Sequence, residues 1–128
     1  MTVPRGDMSR YWSDDRGAAA VEFGLVAQCV VMLLVGIMSL SLMMLSIGSM
    51  HFAAEAAARC ASARPSVCSS QATIVAYANS SYFGAVITPT FTYTAAACGN
   101  QVSATATYTL NVGMFQWSIP LSATSCFP

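Results

Sequence analysis

The sequence predicts an α+β chain in which one long N-terminal helix, apolar enough to cross a membrane, leads into a small antiparallel β-sheet domain. Three observations carry this prediction. From Phe23 to Met50 no residue is charged and none is proline, and the only polar side chains are Gln28, Ser39, Ser41, Ser46 and Ser49. Between Pro4 and Pro65 there is no proline at all, so nothing interrupts a helix over that stretch. Beyond residue 100 the apolar period becomes two, as a strand with one buried face requires.

The first element is a polar leader, residues 1–17, which carries Arg5, Arg10 and Arg16 ahead of the apolar run. Arginines before the run, with Arg59 and Arg64 farther beyond it, favour a cytoplasmic N-terminus. Residues 18–64 then read as one helix, rich in Ala, Leu, Met and Val and stopped by Pro65. At ~1.5 Å per residue it is on the order of 70 Å long, over twice the ~30 Å hydrocarbon core of a bilayer. Its first half suits the membrane, and its last turns must lie in water or against other protein. On those turns His51, Glu55 and Arg59 are spaced i, i+4, i+8 and line one face. Two other readings of the apolar run fit less well. A core helix of a soluble domain would need more chain to cover it than remains. A removable secretory signal has an apolar core of only about 7–15 residues. The small-x-small site Ala61-Ser62-Ala63 also lies well past the end of this run.

Residues 65–128 make the β-rich domain. A short helix is expected over Gln71–Asn79, with Ser69 or Ser70 as its N-cap. A first strand is expected near Val86–Thr94, interrupted by Pro89. Val102, Ala104, Ala106, Tyr108, Leu110 and Val112 then alternate with Ser103, Thr105, Thr107, Thr109 and Asn111. Phe115, Trp117, Ile119, Leu121 and Ala123 repeat the pattern, with Pro120 assigning that strand to an edge. Gly99-Asn100 and Gly113-Met114 are the expected turns.

Composition excludes several function classes. Charged residues are 8% of this 128-residue chain against a usual ~25%. None occurs after Arg64, lysine is absent, and the net charge is zero. Nucleic acid is therefore not an expected partner, because phosphate neutralisation needs clustered cations. An uncharged soluble surface instead favours association with partners, membrane or its own kind. Catalysis needs a nucleophile with a base, or a metal site. His51 is the only histidine, no Asp or Glu follows Glu55, and Cys29 lies inside the apolar run. No enzyme activity, cofactor or metal is expected.

The most informative residues stand at the junction of leader and run. In Arg16-Gly17-Ala18-Ala19-Ala20-Val21-Glu22-Phe23 a small residue closes the leader, and one acid stands five positions after it. A carboxylate at a membrane boundary is costly and normally has a partner. Cleavage after Gly17 would create one, the α-amino group of Ala18, mostly protonated at neutral pH given a reference pKa near ~8.

This string resembles the site cut by prepilin peptidases, and Asp15 through Phe23 is similar to the start of TadE-like proteins of the Tad (Flp) pilus, the TadE/TadF group. Ala57-Ala58-Arg59 and the C-terminal Thr/Val-alternating strands extend the resemblance; Gln28 departs from it, at a place where the family often has proline. The resemblance implies a class III-type prepilin, and the chain's length implies a minor pilin or pseudopilin rather than a major one. It further implies that a prepilin peptidase cuts between Gly17 and Ala18, with Glu22 and Phe23 serving recognition and assembly. The implied partners are that peptidase, other pilins or pseudopilins, and an inner-membrane assembly platform. The implied location is the inner membrane, single-pass, with the C-terminal domain outside the cytoplasm or carried into the pilus. The alternative is a signal-anchored periplasmic binding or adhesion domain that does not polymerise.

Cys60, Cys68, Cys98 and Cys126 all fall on the side assigned outside the cytoplasm, where disulfides persist. Four cysteines allow three pairings. A hairpin turning at Gly113-Met114 returns Cys126 beside Cys98, while Cys60 and Cys68 flank the helix end at Pro65. The expected pairs are Cys60–Cys68 and Cys98–Cys126.

Overall fold

The computed structural model describes residues 15–112 and 115–128. Most of the leader, residues 1–14, and the turn expected at Gly113-Met114 lie outside the described residues. The fold is α+β: a long helix α1 (Asp15–Ala63), a short helix α2 (Gln71–Ser81), and strands β1 (Thr90–Ala96), β2 (Gly99–Val112) and β3 (Phe115–Phe127).

Helix α1 is 49 residues long. It begins three residues ahead of the boundary expected at Ala18, so Gly17 lies within it. Once a helix exists, each added residue gains a hydrogen bond, and a single glycine costs only about 1 kcal/mol against alanine. Gly17 therefore does not stop the alanine-rich run. The other end falls one residue short of Arg64, because proline disfavours helical backbone in the residue before it. A turn follows directly, with the Val67 and Cys68 amides both donating to the Arg64 carbonyl.

The chain forms two compact units, Met1–Ile37 and Met38–Pro128. Within the first, the described residues are helix alone, and Val21, Phe23, Leu25, Val30, Leu33 and Leu34 are all exposed. In the second, the remainder of α1 packs against the sheet and α2. Its contact face is built from Ala53, Ala54, Ala57 and Ala58, each wholly buried, with Met50 and Cys60 at its ends. Small side chains let another element come close to the helix backbone. The apposed residues are Phe91, Val102, Ala104, Tyr108, Leu121 and Ala123 from the sheet, and Ile74 and Ala78 from α2. Ser46 and Ser49 are buried too, and their hydroxyls donate to the Leu42 and Ser46 carbonyls of the same helix. Such back-bonding lets a serine stand in an apolar interface at no unsatisfied cost.

Helix α2 starts where the sequence places it. Ser70 is the N-cap: its hydroxyl accepts from the Thr73 amide, while the Thr73 hydroxyl accepts from the Ser70 amide. This reciprocal pair satisfies two donors the helix leaves free.

The sheet is antiparallel in the order β1-β2-β3. Pro120 stands on the edge strand β3, opposite Thr107, as proline in a strand requires. The inward residues of β2 are those the alternation predicts, with Val102, Ala104 and Tyr108 buried. Three expectations need correction. Strand β1 begins at Thr90, not near Val86, because Pro89 cannot donate to the ladder. The first turn occupies Ala97-Cys98, and Gly99 and Asn100 already pair with Ala96 and Ala95. Gly99 is nonetheless required there, since it holds φ +116° at the hairpin's exit. Finally, Phe115 and Trp117 follow the inward alternation yet remain exposed, because the buried face ends at the pair Tyr108–Ile119.

A side chain at Gly99 would both strain the backbone and run into the Phe127 carbonyl and the Pro128 Cα. Gly99→Ala should therefore destabilise the domain by about 1–3 kcal/mol. Urea unfolding of the detergent-solubilised protein, followed by circular dichroism, checks this; an unchanged midpoint would contradict the turn described.

Candidate functional site

The residues singled out by the sequence fall at the two ends of α1. Toward the N-terminal end of the described helix, Gly17 and Ala18 are both helical, and Glu22 follows Ala18 by one helical turn, so the two share a face. Gly17, Ala18, Glu22 and Phe23 are all exposed, Phe23 to 76%. A side chain added at Gly17 would find open space within 4 Å. The Gly17–Ala18 peptide bond is therefore sterically open, although it is helical. From Phe23 onward the exposed surface is almost wholly apolar, and α1 is long and apolar enough to cross a membrane.

The other end of α1 is held covalently. Cys60 and Cys68 form a disulfide with Cα atoms 5.8 Å apart, closing the turn around Pro65 and tying α1 to the segment that caps α2. Cys98 and Cys126 form a second, with Cα atoms 6.2 Å apart, joining the β1–β2 turn to the end of β3. Cys98–Cys126 is the pair expected from the strand order, and Cys60–Cys68 the pair expected from their places on either side of Pro65. Cys29 is the free cysteine among the described residues and is exposed on α1.

Sequence reasoning missed a polar chain beside these bridges. The Tyr93 hydroxyl donates to Asn100 Oδ1 at 2.6 Å, and Asn100 Nδ2 donates to Ser62 Oγ at 2.8 Å. Ser62 Oγ in turn donates to the Phe127 carbonyl at 3.3 Å. Asn100 reads locally as a turn residue and Ser62 as part of a cleavage-like triplet. Neither pattern signals that they join sheet to helix. Close by, Glu55 and Arg59 form an exposed ion pair, and the Arg59 guanidinium lies 5.5 Å from the Phe127 ring centroid. An exposed i,i+4 pair stabilises by only about 0.3–0.5 kcal/mol, so this stripe adds little to the fold. His51 is exposed on the same face. Among the described residues no three His, Cys, Asp or Glu side chains gather as a metal site would need.

Comparison with known families decides what this helix is. The family model described as TadE-like protein matches residues 17–59. Over those residues the long helix is similar to that of TadE-like proteins. The match opens on Gly17 and ends on Arg59, spanning the junction motif, the apolar run and the buried alanine face. The matched residues are similar to a family associated with Tad pilus systems. The helix's length and apolarity are compatible with a single-pass membrane anchor. The sheet domain lies outside the matched residues, and no curated protein and no solved structure matches the chain.

The covalent pattern gives a direct measurement. Peptide mapping of the native protein without reductant should recover Cys60 joined to Cys68 and Cys98 joined to Cys126. Cys29 alone should take up a membrane-permeant maleimide. A peptide linking Cys60 to Cys98 or Cys126 would contradict the arrangement.

Proposed function

We propose that this protein is a minor pilin or pseudopilin of a Tad (Flp) pilus, made as a prepilin and processed before assembly. The observation that carries the reading is the match of residues 17–59 to the TadE-like family: Gly17, Ala18, Glu22 and Phe23 precede turns whose exposed surface is almost wholly apolar. In this reading a prepilin peptidase removes residues 1–17. The mature chain stays in the inner membrane, its span within residues 18–64, and residues 65–128 form a domain outside the cytoplasm. Two disulfides in that domain support the orientation, since such bonds persist in oxidising compartments. From the membrane the subunit joins the other pilins or pseudopilins on the assembly platform, to take part in pilus assembly, adhesion or secretion.

Cleavage changes the electrostatics of the helix start. It creates a cationic amine at Ala18, one turn before Glu22. Side chains on a helix tilt toward its N-terminus, so the carboxylate can reach that amine or the amine of a neighbouring subunit. At ~4 Å and an effective dielectric near 20 the pair attracts by about 4 kcal/mol. Desolvation of both ions cancels much of that, as in most buried pairs. What survives is positional: one axial stagger between neighbouring helices brings the charges together. Glu22 thus sets register when a subunit joins the assembly.

Two measurements test this. N-terminal sequencing of the protein from native membranes should begin at Ala18; a retained leader would favour the signal-anchored domain that does not polymerise. Glu22→Gln keeps the side chain's size and removes its charge. That variant should insert and be cut normally, yet fail to co-purify with pilus partners or to restore piliation in a deletion strain. Full piliation by Glu22→Gln would make the carboxylate a bystander.

A further inference from the structure

The two disulfides of the domain differ in how they meet solvent. Cys60 and Cys68 are 4% and 5% exposed and belong to the buried cluster shared by α1, α2 and the sheet. Cys98 is exposed and Cys126 half-buried. Cys98 stands in the turn Ala97-Cys98, between Ala97 and Gly99, so the turn itself offers no large side chain to cover it. No Asp or Glu follows Glu55, so no carboxylate of the sheet repels an approaching thiolate.

Access matters because thiol–disulfide exchange is the attack of a thiolate on one sulfur of the bridge, and exposed bridges are the labile or regulatory ones. A buried bridge is reached only when its surroundings open, and opening costs more as more of the core takes part. We propose that Cys98–Cys126 is a site of thiol–disulfide exchange in the folded protein, with Cys98 Sγ as the attacked sulfur and a protein dithiol as the reaction partner. Cys60–Cys68 is closed to the same partner until the domain opens. The inference depends neither on processing of the N-terminus nor on pilus assembly.

In the reducing direction the partner's thiolate attacks Cys98 Sγ, and the bond from Cys98 Sγ to Cys126 Sγ breaks. Cys126 leaves as a thiolate and takes up a proton from water, while Cys98 is held in a mixed disulfide. The partner's second thiol, deprotonated, then attacks the partner's own sulfur in that mixed disulfide. Cys98 is released and protonated in its turn. Two electrons have passed from the dithiol to the bridge, and the partner is left as a disulfide. Oxidation of the two thiols is the reverse sequence.

The fold supplies a sheet end that holds while the bond is open. Asn100 pairs with Phe127 and Gln101 with Cys126 in the ladder. The hydrogen bonds from Tyr93 through Asn100 and Ser62 to the Phe127 carbonyl tie the same end to α1. The two thiols therefore stay near each other for reoxidation. A dithiol oxidoreductase can make, break or remake this bond after the domain has folded, whereas Cys60–Cys68 is fixed once α1 and α2 pack.

The full chain in detergent would first be blocked with N-ethylmaleimide at Cys29. It would then be exposed to dithiothreitol for increasing times, quenched with iodoacetamide and mapped by mass spectrometry. Alkylation should reach Cys98 and Cys126 at least about tenfold faster than Cys60 and Cys68, the buried pair having to wait on local opening. Low urea should accelerate only the Cys60–Cys68 reaction, and circular dichroism should keep the folded spectrum after the first reduction. Thioredoxin with its second active-site cysteine replaced by serine should be trapped as a mixed disulfide on Cys98. Equal rates for the two bridges, or faster reduction of Cys60–Cys68, would overturn the proposal. So would a Cys98–Cys126 rate that rises with urea in step with unfolding, or loss of the folded spectrum when that bond alone opens. Trapping on Cys126 would overturn Cys98 as the attacked sulfur, and absence of any adduct would overturn the protein dithiol as partner.

Discussion

The buried alanine face of α1 is the surface on which the rest of the domain is assembled. Ala53, Ala54, Ala57 and Ala58 are spaced so that one stripe of the helix carries nothing larger than a methyl group. Val102, Ala104, Leu121 and Ala123 from the sheet, and Ile74 and Ala78 from α2, share one cluster with that stripe. The arrangement resolves a problem of size. A domain of little more than sixty residues after Pro65 has few large side chains with which to build its own core. A long helix supplies one wall ready made, and small residues on it replace bulk with proximity.

Covalent and polar constraints then act at the far end of that wall. The Cys60–Cys68 bridge closes the helix end around Pro65, and Cys98–Cys126 closes the hairpin end of the sheet. Between them run the hydrogen bonds from Tyr93 through Asn100 and Ser62 to Phe127. With no charge beyond Arg64, the domain has no ion pairs of its own. Each bridge stabilises by roughly 2–4 kcal/mol, a large share of what so small a domain can hold. Dependence on disulfides in turn ties folding to an oxidising compartment, which agrees with the side of the membrane proposed for it.

Helix α1 thus meets two environments in one element. Its first turns expose apolar side chains that only lipid or other helices could cover, and its last turns bury alanines against the sheet. The proposed site stands at the boundary of the first, where Gly17, Ala18, Glu22 and Phe23 combine a small residue, an acid and an aromatic. A structural subunit needs no pocket for that role. It needs an accessible bond, a charge at a fixed height and an uninterrupted helix behind them.

The features legible in the sequence were those set by neighbouring residues. The proline-free apolar run specified α1, a serine cap at 69 or 70 placed α2, alternation specified the inward face of β2, and the junction string resembles the start of TadE-like proteins. The pair Cys98–Cys126 was expected because an antiparallel return brings the end of β3 beside the start of β2, and Cys60–Cys68 because both flank Pro65. Boundaries were less legible: Gly17 reads as an end, but an established helix extends through one glycine at little cost. Gly99-Asn100 reads as a turn, yet only Gly99 is there for its backbone, whereas Asn100 holds the hydrogen bonds to Tyr93 and Ser62. Phe115 and Trp117 continue the buried alternation but remain exposed, because alternation reports which face a side chain takes and not how far the covering surface extends. By itself, then, the sequence determined the helix, a length and apolarity sufficient to cross a membrane, and the inward faces of β2 and β3, all properties of residues close in the chain. Only the tertiary structure decided where burial stops and which distant polar groups meet, because both depend on surfaces brought together from segments tens of residues apart.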